Sequence, residues 1–233
     1  MMLMAEKLIE AILFKENTDA DRCLTMNNND EEMIVKDATL DYYNENADKF
    51  VSGTVNVEFS EVQDKFLSLI PDGGKILDYG CGSGRDTKYF LSKGYLVDAI
   101  DGSEKLCAIA HANTGIEIRQ MLFSELNAVE AYDGIWACSS ILHVIREELK
   151  SIFEKMIRAV RPEGYIYTSF KYGEFEGYRN GRYFTDFTDK TFEIFIKQFP
   201  EIMIKEEWVS SDVRPGRGDE KWLNLILQKW DMI

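Results

Sequence analysis

The stretch Lys75-Ile76-Leu77-Asp78-Tyr79-Gly80-Cys81-Gly82-Ser83-Gly84-Arg85 decides how the chain folds. Lys75 to Tyr79 form a short apolar run broken by one acid, Asp78, and read as a buried strand. Gly80, Gly82 and Gly84 supply a turn whose backbone takes φ values other residues resist and lies close to a ligand. Asp86 to Lys93 read as a helix. A helix beginning there aims free N–H groups and a partial positive charge at whatever sits over the turn.

The spacing separates two kinds of nucleotide site. A dinucleotide fold asks for G-x-G-x-x-G/A, where the last small residue lets helix pack on strand. Arg85 stands at that position, and the run reads D-x-G-x-G-x-G instead. A second acid closes the next apolar run, in Leu96-Val97-Asp98-Ala99-Ile100-Asp101-Gly102-Ser103. Asp101 lies 21 positions after Gly80. At that distance an acid on the tip of the second strand accepts both hydrogen bonds of a ribose diol. The bland alternative is a structural βα turn with a solvated Asp101.

The pattern resembles motif I of the class I S-adenosylmethionine (SAM)-dependent methyltransferases, D/E-x-G-x-G-x-G. The resemblance covers about Leu40 to Trp230 and is nearest to the small, free-standing bacterial enzymes of the tellurite-resistance and thiopurine types. It implies SAM as cofactor, S-adenosylhomocysteine (SAH) as product, and methyl transfer to a small-molecule acceptor. Gly80, Gly82 and Gly84 are then the backbone cradle, and Asp78 assists the methionine end. Asp101, followed by Gly102 and Ser103, holds the ribose. Thr39 to Phe50 is similar to the Y-Y-x-x-x-A-x-x-F/Y helix that precedes the core in many members. That likeness makes Tyr43 a cofactor-pocket residue; otherwise Tyr42 and Tyr43 merely pack the helix down.

Ile116 to Gln120 read as a third strand, and in the family the residues after it flank the adenine, here Met121 and Leu122. Tyr132 to Val144 resembles motif IV, D-x-I-x-x-x-x-x-L-H-V/H. Its strand tip, Cys138 and Ser139, is expected to face the transferred methyl, because ligands lie at the carboxyl ends of strands in open α/β sheets. His143 is a candidate general base or substrate contact. Alternatively it is a structural histidine satisfying loop backbone, which suits transfers to soft nucleophiles that need no base.

Composition narrows the rest. The chain has 233 residues, 45% hydrophobic and 29% charged, enough for one sizeable soluble core. Its net charge of −14 disfavours nucleic acid, which asks for clustered Lys and Arg. Cys23, Cys81, Cys107 and Cys138 lack metal-ligand spacing, and the chain has only two histidines, so no metal is expected. The cysteines read as reduced thiols of a cytoplasmic protein. Met1 to Phe14 carry Glu6, Lys7 and Glu10, which argues against a signal or membrane segment.

Leu3, Leu8, Ile9, Ile12 and Leu13 suggest an amphipathic helix that packs on the body or mediates a homodimer. Residues 1–32 are therefore read as a helical extension and linker, and 33–233 as the methyltransferase-like domain. The expected fold is a doubly wound, seven-stranded, mostly parallel sheet whose last strand, from Trp222, is antiparallel. Lys171 to Thr188 read as a long loop over the sheet edge, a place for a substrate lid. Arg179, Arg182 and Tyr183 within it, with Arg214 nearer the C-terminus, are candidate substrate contacts; equally, the arginines pair with some of the 41 acids. Two rival functions remain: a SAM-binding sensor without catalysis, and a nicotinamide oxidoreductase.

Overall fold

The computed structural model describes residues 38–214 and 216–230. The N-terminal amphipathic segment, Cys23 and the boundary at 32/33 lie outside the described residues. The chain enters through helical residues 38–45, then α1 (Ala47–Ser52) and α2 (Ser60–Leu67). Next come β1 (Lys75–Tyr79), α3 (Arg85–Ser92), β2 (Leu96–Asp101), α4 (Glu104–Thr114) and β3 (Ile118–Gln120). The second half holds β4 (Tyr132–Ala137), α5 (Arg146–Ala159) and β5 (Val160–Lys171). It closes with β6 (Glu176–Arg179), β7 (Arg182–Thr185), α6 (Asp189–Ile196), β8 (Ile202–Ser211) and β9 (Lys221–Lys229).

Seven strands form one sheet in the order β3-β2-β1-β4-β5-β9-β8. The chain starts at β1 in the middle, runs outward through β2 and β3, then returns to lay β4 on the other side of β1. That reversal puts a crevice beyond the carboxyl ends of β1 and β4, where open α/β sheets bind ligands. β9 inserts antiparallel between β5 and β8, as the alternation from Trp222 predicts.

Strand alternation sorts the core onto two faces. Ile76, Trp136, Tyr167 and Ile226 point to the face covered by α2 and α3, where they meet Phe66 and Phe90. The Trp136 and Tyr167 rings stack there at 4.0 Å. Leu77, Ile135, Ile166 and Leu225 point the other way, against the α5 and α6 residues Ile152, Phe153, Phe192 and Phe195.

Two local readings are corrected, the loop at Lys171 to Thr188 and the start of the third strand. Lys171 to Thr188 is no bare loop: β6 and β7 pair antiparallel as a separate hairpin. Its turn is Asn180-Gly181, with φ 52° and 80°, the left-handed pair that matches hairpin twist. The N-cap of α6 is Thr188, whose hydroxyl accepts from the Thr191 N–H at 3.2 Å, and Asp189 is the first helical residue. β3 begins only at Ile118. β5 begins at Val160 and carries Arg161 to Gly164 into the sheet; the pairing with β4 shifts register there and Glu163 takes φ 61°. Ser103 caps α4 by accepting from Leu106 N–H at 3.2 Å, and Gly115 ends that helix at φ 77°.

Candidate functional site

A cavity of about 700 Å³ opens over the carboxyl ends of β1, β2, β4 and β5. Its floor is the glycine turn. Gly80 N–H and Cys81 N–H both donate to the Ile100 carbonyl, at 3.0 and 2.9 Å, which ties the turn to β2. A Cβ at Gly80 would sit 2.5 Å from Ser140 Cβ, so no other residue fits there at its φ of 89°. Gly84 works differently. It does not line the cavity; its bare Cα lets α4 approach, since a Cβ would lie 2.8 Å from Thr114 Cγ2.

Asp101 stands at the tip of β2 and lines the cavity. Its Oδ2 accepts from Gly82 N–H and its Oδ1 from Ser103 N–H, both at 2.9 Å. Burial raises its pKa, while these N–H groups pull it down. Gly102, Met121 and Leu122 continue this wall. A Cβ on Gly102 would meet Leu40 Cδ2 at 2.6 Å, so the wall is cut close. Ser103 is fully buried, bonded to Asn44 Oδ1 at 2.7 Å, and is not on the cavity surface. Asp78 is also outside the lining: it lies beneath the turn and accepts from the Thr87 hydroxyl at 2.5 Å. Burial, with the Asp86 charge nearby, pushes its carboxyl up to about 8.

The opposite rim carries the motif IV residues. Cys138 and Ser139 follow β4 into the cavity, and Ser139 holds φ 53°, a conformation a non-glycine residue adopts at a cost. Its N–H donates to Ser169 Oγ at 2.9 Å, which steadies the turn. Burial pushes the Cys138 thiol up to about 12, so it stays protonated.

His143 sits between Tyr43 and Tyr183. The Tyr183 carbonyl lies 2.6 Å from its Nδ1 and can only accept, so Nδ1 carries the proton. Nε2 then accepts from the Tyr43 hydroxyl at 2.8 Å, and Tyr43 in turn accepts from Arg182 Nη1 at 3.1 Å. Burial pushes His143 down to about 3, helped by the Arg182 charge. The imidazole is neutral at any physiological pH.

The hairpin of β6 and β7 roofs this rim. Arg179 and Arg182 line the cavity, as does Arg214. Tyr183 does not: its hydroxyl donates to Glu176 at 3.1 Å and its N–H to Thr39 at 3.3 Å. Arg179 is paired with Asp186 at 2.5 Å and Arg214 with Asp212 at 2.5 Å.

Several lining residues escape a sequence reading. Arg85 is one. Its Nε and Nη2 clamp the Asp86 carboxylate at 2.7 and 2.9 Å, and its guanidinium lies over Phe59 at 4.9 Å. Trp136 Nε1 and Gln63 Nε2 also donate to Asp86, which is 7% exposed, so the pair is rigid. Phe50 is another, packed within 3.2 Å of where a Gly82 Cβ would be. Only the signal at Arg85, an arginine directly after the third glycine, was visible in the chain. Among the described residues no three His, Cys, Asp or Glu side chains cluster as a metal site, and no helix is long and apolar enough to cross a membrane.

Comparison with known proteins bears on this cavity. Residues 76–164 match a family model described as a methyltransferase domain. A Geobacillus sp. (strain WCH70) protein named as a methyltransferase is 30% identical over 115 residues, 46% of this chain and 47% of that relative. The match thus spans about half the relative's length. Among solved structures, 1,6-didemethyltoxoflavin-N1-methyltransferase of Burkholderia thailandensis superposes with a TM-score of 0.70 at 20% identity, covering 93% of this chain and 99% of that one. TehB from Haemophilus influenzae gives 0.59 at 21% identity, covering 79% of this chain and 67% of that one. At these identities the likeness is one of fold.

Proposed function

We propose that this chain is a class I SAM-dependent methyltransferase and that it transfers a methyl group from SAM to a small-molecule acceptor, a reading supported by the methyltransferase-domain match over residues 76–164. The observation that carries this reading is Asp101: a half-buried carboxylate at the tip of β2, facing the cavity at the β1/β4 switch point, 21 positions after Gly80. The residues present fit the cofactor. Gly80 and Gly82 leave a cradle that a Cβ would fill, Asp101 offers acceptor oxygens to a diol, and Met121 and Leu122 offer apolar contact to a planar base. Asp78 supports the turn from below rather than touching the ligand, and Ser103 orients α4.

When bound, the cofactor supplies an electrophilic sulfonium methyl. The chain's part is positioning: Cys138, Ser139 and the glycine turn on one side and Tyr43 on the other hold the acceptor against it with water excluded. His143 is a positioning residue, since an imidazole held near 3 is a poor base; it fixes the Tyr43 hydroxyl. The hairpin supports a small acceptor, because Arg179, Asn180 and Arg182 line the cavity and take up space beside the strand ends. The Burkholderia neighbour holds 1,6-didemethyltoxoflavin, a small molecule, in a similar fold.

The test is calorimetric titration with SAM and SAH, with NAD as control, followed by transfer of labelled methyl to a metabolite pool. Binding of both adenosyl ligands and label in an acceptor is expected. Binding without transfer would leave a SAM sensor, and preference for NAD would sink the reading altogether.

A further inference from the structure

The cavity wall built from β5, the hairpin and the loop between β8 and β9 carries five cations: Lys171, Arg179, Arg182, Arg214 and Arg217. Four are matched within the protein. Lys171 pairs with Asp212 and Glu220, Arg179 with Asp186, Arg214 with Asp212, and Arg217 with Glu220. Arg182 has no ion-pair partner among the described residues, in a chain with 41 acids to 27 basic residues. Its guanidinium lies over Tyr42 at 4.6 Å and Phe184 at 5.2 Å, its Nη1 donates to Tyr43, and its Nε is buried without a partner. A cation removed from water with an unsatisfied donor is costly unless a counter-charge arrives.

We propose that Arg182 anchors an anionic group of the methyl acceptor, a carboxylate or phosphate, so that the acceptor is an anion. The inference rests on the methyltransferase reading. Asp101, Gly102 and Leu122 belong to the wall at the β2 tip, while Arg182 stands on the hairpin and bonds the Tyr43 hydroxyl, which in turn bonds His143. The aromatic rings of Tyr42, Tyr43 and Phe184 fix the planar guanidinium beside the cavity, and its charge and remaining N–H groups suit an oxyanion. An anion placed there also complements the positive sulfonium of a bound cofactor. A carboxylate could come from the cofactor's own methionine end, and the experiment separates the two sources.

The probes are benzoate and its neutral isostere benzamide, titrated into SAH-loaded wild type, Arg182→Gln and Arg182→Lys. SAH and 5′-methylthioadenosine, which lacks the carboxylate, are titrated into the three ligand-free proteins. The expected result is about a tenfold preference for benzoate in wild type, lost in Arg182→Gln and about threefold in Arg182→Lys. The ratio of SAH to methylthioadenosine affinity should be the same in all three, and their binding shows the variants are folded. Equal binding of benzoate and benzamide by wild type, or a preference surviving in Arg182→Gln, would overturn the proposal. So would a tenfold loss of SAH but not of methylthioadenosine in Arg182→Gln, which would assign the guanidinium to the cofactor. Absence of SAH binding by wild type would instead sink the methyltransferase reading itself.

Discussion

The two walls of the cavity are built on different principles. The wall from β1, β2 and the turns that follow them is backbone. Gly80, Gly82 and Gly102 strip it of side chains, and the Asp101 carboxylate is wrapped by N–H groups of its own loops. The wall from β5, the hairpin and β8–β9 is side chain: Lys171, Arg179, Arg182, Asp186, Asp212 and Arg214 meet across three elements remote in sequence. A backbone wall tolerates little change but recurs wherever one ligand is kept. A side-chain wall is rebuilt by substitution, which suits the half that chooses an acceptor. On the proposed function, the contrast explains why the sequence points to a donor and not to an acceptor.

The contrast breaks most sharply at Gly80. Gly80→Val adds a Cβ 2.5 Å from Ser140 Cβ and 3.1 Å from Phe123 Cζ at a positive φ. It should cost about 3 kcal/mol of stability and abolish SAH binding, read by chemical denaturation and calorimetry. A variant that melts and binds like wild type would show that the turn is not a rigid cradle.

Asp101→Ala should weaken SAH binding by about 2 kcal/mol, roughly thirtyfold, as a charged acceptor for the ribose disappears. Arg214→Ala, across the cavity, should leave SAH affinity within about twofold, because Arg214 is already engaged by Asp212. Equal losses in the two variants would erase the division between walls.

Two buried groups should give opposite pH responses. The folded pKa of Asp78, about 8, is above its unfolded value near 3.9, so its contribution is full below pH 3.9 and fades as pH rises through about 8. His143 falls to about 3 from near 6.5, so its contribution is full above pH 6.5 and fades as pH falls toward 3. Asp78→Asn should therefore gain most on wild type at pH 8. His143→Gln should flatten the loss of Tm between pH 6.5 and 4, where the slope per group is at most about 1.4 kcal/mol per pH unit. Identical Tm–pH profiles for variants and wild type would reject both assignments.

The smallest effect belongs to the roof. Gly181 has φ 80°, and a Cβ there would touch Tyr42 Cδ2 at 3.0 Å. Gly181→Ala should cost about 1 kcal/mol and leave SAH binding nearly intact while loosening the hairpin over the acceptor. Loss of SAH binding on a par with Gly80→Val would mean that the roof, too, holds the cofactor.

Much of the backbone wall was legible because its signals are local. Three glycines at alternate positions and an acid at a fixed distance specify a turn and a strand tip whatever surrounds them. The closing antiparallel strand was legible from its period of two. The hairpin was also written locally, in Asn180-Gly181, but the run of aromatics and glycines around it hid the strands. Asp78 and Ser103 show the limit of motif reasoning. Both stand beside the site in sequence, yet one carboxyl turns down to Thr87 and one hydroxyl caps α4.

The sequence by itself determined the glycine cradle, the acid at the β2 tip and the closing strand, because glycine conformation and strand periodicity act over a few residues; the plan of the whole sheet was what the family resemblance implied. Only the tertiary structure decided which of the cavity's arginines, Arg182, has no ion-pair partner among the described residues. Pairing Arg179 with Asp186, Arg214 with Asp212 and Lys171 with Asp212 and Glu220 depends on which strand ends meet, and charge counting along the chain carries no such information. The tautomer of His143 was decided in the same way, by a carbonyl 40 residues away in sequence.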